Sequence, residues 1–295
     1  MPIPIPEAVD ENAALARAKG DQLRKRPIAY LLSAVLAGGF IGVGVVLLAA
    51  AVGPLLVGGS IAVKLTSGAI FGVALTLVVF AGTSLFTGEV MFMIQGLVAG
   101  TCKVYELVAV WIAALVGNFI GSFAFSWMVY QSGVLATRPK PGAVAPGFAW
   151  VTSTVAGKIA ATNGQLFWRA VLCNMLVCLA LWMASRTKSD PAKLVLIWWA
   201  LFAFIAAGFE HSIVNMTAFS LAILNHTADW SQLGRNLALT VPGNIVGGGI
   251  IVGLAYAYLG RTRSATVSLA GEAAPPTQAP APEPAYAGSS WSGAR

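Results

Sequence analysis

The chain has 295 residues, of which 57% are hydrophobic and only 10% charged, and its formal net charge is +7. A soluble domain carries about a quarter charged residues, so a soluble fold is excluded. The basic excess is not a nucleic-acid footprint, because it is gathered at the ends of apolar runs rather than on one polar face.

Charge-free runs cover 27–63, 65–88, 107–137, 170–185, 194–209 and 236–260. Several exceed the ~20 apolar residues that cross a bilayer as a helix. The reading is an all-α polytopic membrane protein with six transmembrane helices. Lys and Arg near span ends mark the cytoplasmic side. With six spans, both termini and the connections 2–3 and 4–5 then lie in the cytoplasm, and they hold twelve of the eighteen Lys/Arg residues.

Residues 1–27 form a first unit. Ala8, Ala13, Leu15, Ala16 and Leu23 alternate with Asp10, Glu11, Arg17, Lys19 and Asp21 over 8–25, which predicts an amphipathic helix on the cytoplasmic surface. The polar, charged start shows no cleavable signal, so the first span is expected to act as its own insertion signal. The channel unit runs over 28–260. Span 1 covers 28–52 and is dense in glycine, which lets helices approach closely in lipid. Span 2 stays apolar from 65 to 99, ~50 Å of helix against ~30 Å of hydrocarbon, and a break is expected at Gly82–Glu89. Span 3 covers 105–131 and carries Gly117-Asn118-Phe119-Ile120-Gly121.

Residues 132–152 read as a Pro/Gly-rich external loop and 154–185 as span 4, polar at its start with Lys158. Span 5, over 191–225, is again too long and is expected to break at Gly208–His211. Span 6 covers 236–260 and opens with Pro242-Gly243-Asn244-Ile245-Val246-Gly247. The Ala/Pro/Ser-rich tail, 261–295, reads as a disordered cytoplasmic segment. Cys102, Cys173 and Cys178 form an odd set without disulfide or metal spacing and read as small apolar residues. No cofactor motif is present.

An internal repeat is visible. Phe86-Thr87-Gly88-Glu89 answers Phe209-Glu210-His211 at an offset of 123, and Gly117-Asn118-x-x-Gly121 answers Gly243-Asn244-x-x-Gly247 at 126. Two halves of three spans each insert in opposite orientations. Paired interrupted helices in such halves point to a substrate site near the midplane.

Glu210 and His211 are the only titratable side chains between Leu194 and Leu224. An ionisable group at bilayer depth costs at least ~2.5–3.5 kcal/mol, which makes it a functional candidate by default. His211 reads as a pore-lining donor to a permeating anion; the bland alternative is a buried neutral histidine bonded to a helix neighbour. Glu210 is expected to support donors across the break. Lys158 is either a snorkelling lysine or an electrostatic lure at the outer mouth. Thr87 either bonds back to its own helix or meets His211 where the broken helices converge. Asn118, Asn174 and Asn244 read as hydrogen-bonding glue between helices. Phe71, Leu75 and Phe204 are ordinary on composition alone.

The stretches LFTGEVMF (85–92), GNFIGS (117–122), LCNMLVCLALWMA (172–184), FIAAGFEHSIVNM (204–216) and PGNIVGGG (242–249) resemble the formate/nitrite transporter family, its nitrite-channel branch in particular. The resemblance implies an aquaporin-like fold of inverted halves with helices two and five interrupted. It also implies a homopentamer with one pore per protomer, in a bacterial inner membrane. By position His211 matches the family's central histidine and Thr87 the threonine opposite it. Phe71, Leu75 and Phe204 fall at its apolar constrictions, and Leu85 and Phe86 on a movable gate. Lys158, Asn174 and Asn244 match its polar set, and Asn215 the asparagine one turn beyond the histidine. The implied cargo is nitrite or a similar small monovalent anion, with or without a proton; formate and then hydrosulfide are the alternatives. Two other readings compete. A neutral-solute pore lacks the paired Asn-Pro-Ala signature of aquaporins. An intramembrane enzyme would need a nucleophile, metal set or cofactor motif beyond Glu210-His211.

Overall fold

The computed structural model describes residues 1–260. The elements in chain order are α1 (Ile5–Lys25), α2 (Pro27–Val57), α3 (Val63–Phe80), α4 (Phe86–Val98), α5 (Val104–Ser132), α6 (Pro146–Ala160), α7 (Asn163–Ser185), α8 (Asp190–Ala207), α9 (Ser212–Leu224) and α10 (Trp230–Ile245). α10 runs on through a π-helical segment, Val246–Leu254, to Gly260. Six of these helices are long and apolar enough to cross a membrane: α2, α3, α5, α7, α8 and α10. α4 and α9, of 13 residues each, are the second halves of the interrupted spans. Almost every residue of α9 is buried, so it is a core element without a lipid face.

Each half is held internally by backbone-to-backbone approach. A Cβ on Gly38 would strike the carbonyl of Asn118, and one on Gly121 the carbonyl of Val35. Glycine there lets α2 and α5 touch along their backbones, as small residues do in lipid. Gly247 against the carbonyl of Val171 repeats the contact between α10 and α7.

Both breaks are built alike. α3 ends before Gly82 and α8 at Gly208, with φ of 70° and 77°, a left-handed conformation that glycine adopts without a Cβ penalty. The chain then runs extended through Leu85 (φ −99°, ψ 122°) and His211 (φ −107°, ψ 120°) before the next helix begins. Extended backbone at bilayer depth needs partners. Asn118 supplies three: its Oδ1 accepts from the Phe86 N–H at 2.9 Å, and its Nδ2 donates to the carbonyls of Ser84 (2.9 Å) and Ala34 (2.8 Å). Asn244 does the same, accepting from Ser212 N–H at 2.9 Å and donating to Glu210 (3.1 Å) and Ala170 (2.8 Å). The expected glue role of both asparagines is thus a clamp on each break. Asn244→Ala leaves these backbone groups buried and unpaired, at ~1–3 kcal/mol each. A clear fall in the thermal midpoint of the purified protein is the expected result.

These clamps fix the register of the repeat. Phe86 pairs with Ser212 and Asn118 with Asn244, so the offset is 126 in both. The offset of 123 read from Phe86 and Phe209 is corrected: the counterpart of His211 is Leu85, and that of Glu210 is Ser84.

Three boundaries also differ from expectation. The segment read as the start of span 4 is a separate helix, α6, and Lys158 belongs to it. Thr162 breaks the chain between α6 and α7 by capping α7, its Oγ1 accepting from the Gln165 N–H while the Gln165 side chain returns to the Thr162 N–H. The external loop is correspondingly shorter, since α6 starts at Pro146, a residue suited to the first helical turn. Finally, α10 starts at Trp230 behind an Asp229 cap, so Pro242 lies inside the sixth span. The amphipathic segment is helical as expected, but α1 is docked on the bundle with Ala8, Asn12, Ala13 and Ala16 buried. The tail, 261–295, lies outside the described residues.

Candidate functional site

His211 is the last extended residue of the second break and caps α9 with its own ring. Its Nδ1 accepts from the Val214 N–H at 3.3 Å. A ring nitrogen that accepts carries the lone pair, so the neutral imidazole holds its hydrogen on Nε2. Nε2 lies 3.1 Å from Thr87 Oγ1, in the first turn of α4. Nε2 donates to that oxygen, and the Thr87 hydroxyl hydrogen is left for another acceptor. The two breaks therefore meet through one hydrogen bond between fully buried side chains.

An apolar layer lies against this pair. The Phe204 ring, at the end of α8, stacks on the imidazole with centroids 6.0 Å apart and planes 23° apart. Phe71 of α3 meets Phe204 edge-on at 5.8 Å and 85°. Leu75, one turn along α3, and Leu85 and Phe86 at the first break are all buried. The structure thus brings Phe71, Phe204, His211 and Thr87 into one contact chain.

Lys158 does not float at an interface. Its Nζ lies 2.8 Å from Glu210 Oε2, and both side chains are largely buried. The same oxygen accepts from Asn215 Nδ2 at 2.7 Å, and Asn215 also donates to Asn236 Oδ1 at 2.8 Å. A cavity of about 200 Å³ extends beside Lys158, bounded by Lys64, Trp150, Thr154 and Phe204. Two lysines, Lys64 and Lys158, and Phe204 of the apolar layer thus border one cavity.

Asn174 has a supporting place. Its Nδ2 donates to the carbonyls of Thr87 (3.2 Å) and Asn244 (2.7 Å), which puts it behind Thr87.

The first half carries a second lysine site that the sequence reading missed. Lys19 of α1 donates to Ser84 Oγ at 2.7 Å and pairs with Glu89 Oε1 at 3.0 Å. In the 126 register Ser84 matches Glu210 and Glu89 matches Asn215. The carboxylate and its neutral neighbour have exchanged positions between the halves. The apparent offset of 123 hid this, because it set Thr87 against Glu210. Lys64 and Asn236 also escaped notice; nothing in composition separates them from ordinary interfacial and helical residues.

The geometry defines a class: a polytopic membrane protein of inverted repeats, whose two broken helices bring a histidine and a threonine together beside a buried aromatic layer. The chain matches the family model described as formate/nitrite transporter over residues 7–258 and belongs to that family. It is 37% identical to the nitrite transporter NirC of Salmonella typhimurium over 256 residues, 85% of this chain and 91% of that protein. It is 35% identical to a probable formate transporter of Methanothermobacter thermautotrophicus, over 84% of this chain and 95% of the relative. Among solved structures it is similar to an FNT family ion channel, with a TM-score of 0.79, 35% identity, and coverage of 86% and 98% of the two chains. A pentameric formate channel with formate bound aligns at a TM-score of 0.64 and 25% identity, over 80% and 98%.

Proposed function

We propose that this chain conducts small monovalent anions, nitrite first, across a bacterial inner membrane, through a pore in each protomer of a homopentamer with both termini in the cytoplasm. The observation that carries the reading is the sequence of contacts from the Lys158 cavity through Phe204 and Phe71 to the Thr87–His211 pair. The relatives named nitrite transporter support nitrite; those named formate channel or transporter make formate the second reading.

A bare anion meeting the Phe71–Phe204 layer faces a large desolvation cost, and its neutral acid a far smaller one. Lys158 attracts the anion to the outer mouth. Beyond the aromatic layer, the Thr87 hydroxyl donates to the anion while His211 Nε2–H holds the Thr87 oxygen. Lys19 has the same task at the other, cytoplasmic mouth; the match of its partners Ser84 and Glu89 to Glu210 and Asn215 in the repeat supports this. His211 remains neutral in the resting site, because a charged imidazole has no lone pair to accept from Val214 N–H. A proton accompanies the anion when passage is as the neutral acid and does not when the bare anion crosses.

The test is uptake into proteoliposomes of nitrite, formate and glycerol, with the outside at pH 5.5 and 7.5. Saturable nitrite uptake above formate, with none for glycerol, is the expected result. A rise in nitrite uptake at pH 5.5 identifies neutral-acid passage; a flat profile identifies the bare anion. Equal nitrite and formate uptake replaces nitrite selectivity with a general monovalent-anion pore. Glycerol uptake without anion uptake overturns the reading.

A further inference from the structure

We propose that Cys178 is a positioning residue for transport, acting through the Thr87 carbonyl; this rests on the role given above to the Thr87–His211 pair. Cys178 is fully buried on α7, one turn after Asn174. Its Sγ lies 3.2 Å from the Thr87 carbonyl oxygen and 3.7 Å from Asn174 Oδ1. A thiol is a weak donor, and it adds to the intrahelical bond that this carbonyl, in the first turn of α4, already accepts. The Thr87 carbonyl thus receives two donors from α7, the Asn174 amide at 3.2 Å and the thiol at 3.2 Å. Both act on the residue whose hydroxyl meets His211. They set where the first turn of α4 stands, and so where Thr87 Oγ1 stands relative to Nε2.

A second feature of the fold keeps both donors in place. α10 crosses behind them at Gly248, in its π-helical segment. A Cβ on Gly248 would lie 2.6 Å from Cys178 Sγ and would collide with the Asn174 amide as well. A side chain there cannot be accommodated without moving one donor or the other. Placement of the Thr87 hydroxyl therefore depends on a three-layer stack of α10, α7 and α4, and Cys178 is the member that has no other assigned task.

The sequence reading of Cys178 as a small apolar residue makes a different prediction. A space-filler is replaced by Ala with a slight packing loss, and Ser, being polar, is the worse substitute. A positioning donor is replaced by Ser with function kept, and by Ala with function lost. The test compares Cys178→Ala, Cys178→Ser and Thr87→Val in proteoliposome nitrite uptake, with the thermal midpoint of each purified protein. Cys178→Ala is expected to lower maximal uptake about threefold, in line with one weak hydrogen bond. Its half-saturation concentration is expected to stay unchanged, since the Lys158 mouth is untouched. Cys178→Ser is expected to restore maximal uptake to near the parent value.

Cys178→Ala transporting like the parent, while Thr87→Val is impaired, overturns the role of Cys178 and leaves the pore reading intact. Cys178→Ser transporting worse than Cys178→Ala also overturns it, in favour of packing. Thr87→Val transporting like the parent overturns the underlying reading of the pair. Gly248→Ala adds an independent arm: where it yields folded protein, it is expected to lower maximal uptake more than Cys178→Ala, because it displaces both donors. A folded Gly248→Ala with parental uptake counts against the stack.

Discussion

His211→Phe is expected to lower nitrite uptake tenfold or more at both pH 5.5 and pH 7.5. Phenylalanine keeps a ring to stack on Phe204, so the apolar layer survives. Both nitrogen contacts are lost. Thr87 loses its partner at 3.1 Å, and the Val214 N–H loses its cap. Loss of the cap costs ~1 kcal/mol of helix stability, which the fold withstands. Loss of a buried hydrogen-bond partner at the site costs about 1–3 kcal/mol, or roughly five- to 150-fold in rate. His211→Asn separates two roles. Asparagine caps a helix and donates a hydrogen bond but does not titrate near neutral pH. If His211 acts as a neutral donor, Asn retains much of the uptake. If it delivers protons, Asn is as impaired as Phe. Uptake of the Phe variant unchanged across pH 5–8 would sink both roles.

The second large effect is expected at the Lys158 mouth, where stability and transport can be pulled apart. Lys158→Met leaves the Glu210 carboxylate buried with the Asn215 amide as its remaining side-chain partner among the described residues. Breaking a buried pair by removing one partner costs about 3–5 kcal/mol, and the thermal midpoint of the purified protein should fall accordingly. The double variant Lys158→Met/Glu210→Gln removes both charges together. It is expected to recover most of the lost stability, because a neutral Gln still accepts from Asn215. It is not expected to recover transport at low nitrite, because the cation that gathers the anion is gone. A half-saturation concentration near the parent value in the double variant would show that Lys158 serves only the fold.

Much of this site was legible in the sequence because bilayer physics is severe. A run of apolar residues too long for one pass has to break, and a break at depth has to be marked by glycine and polar residues. Gly82 and Gly208 are those marks. The two clamping asparagines showed up because each stands in a small-residue pattern with no reason to be polar. Other features were written more faintly. Thr162-x-x-Gln165 is a capping box, and it divides α6 from α7, but an apolar stretch on both sides made the segment look continuous. Lys19 reads in the sequence as one of the charged residues of an amphipathic surface helix. Only the three-dimensional register, set by hydrogen bonds from Asn118 and Asn244, shows that its partners Ser84 and Glu89 are the counterparts of Glu210 and Asn215. Cys178 looked apolar because a thiol's role depends on what lies within 4 Å of it, and sequence does not say.

The exchanged carboxylate has a consequence for how such a protein can change over generations. In one half the acid lies within the break, at Glu210, and in the other it follows the break by one helical turn, at Glu89. Descent from a duplicated ancestor requires at least one half to have moved its acid. A single step would pass through a lysine facing two acids or none. The first leaves an excess negative charge where an anion has to arrive; the second leaves a bare buried cation. Either intermediate is poorer than both end states, so the two arrangements are separated by a valley that single substitutions rarely cross. Each half is thereby held to its own solution, and the two mouths drift apart in sequence while the electrostatics at each stays the same.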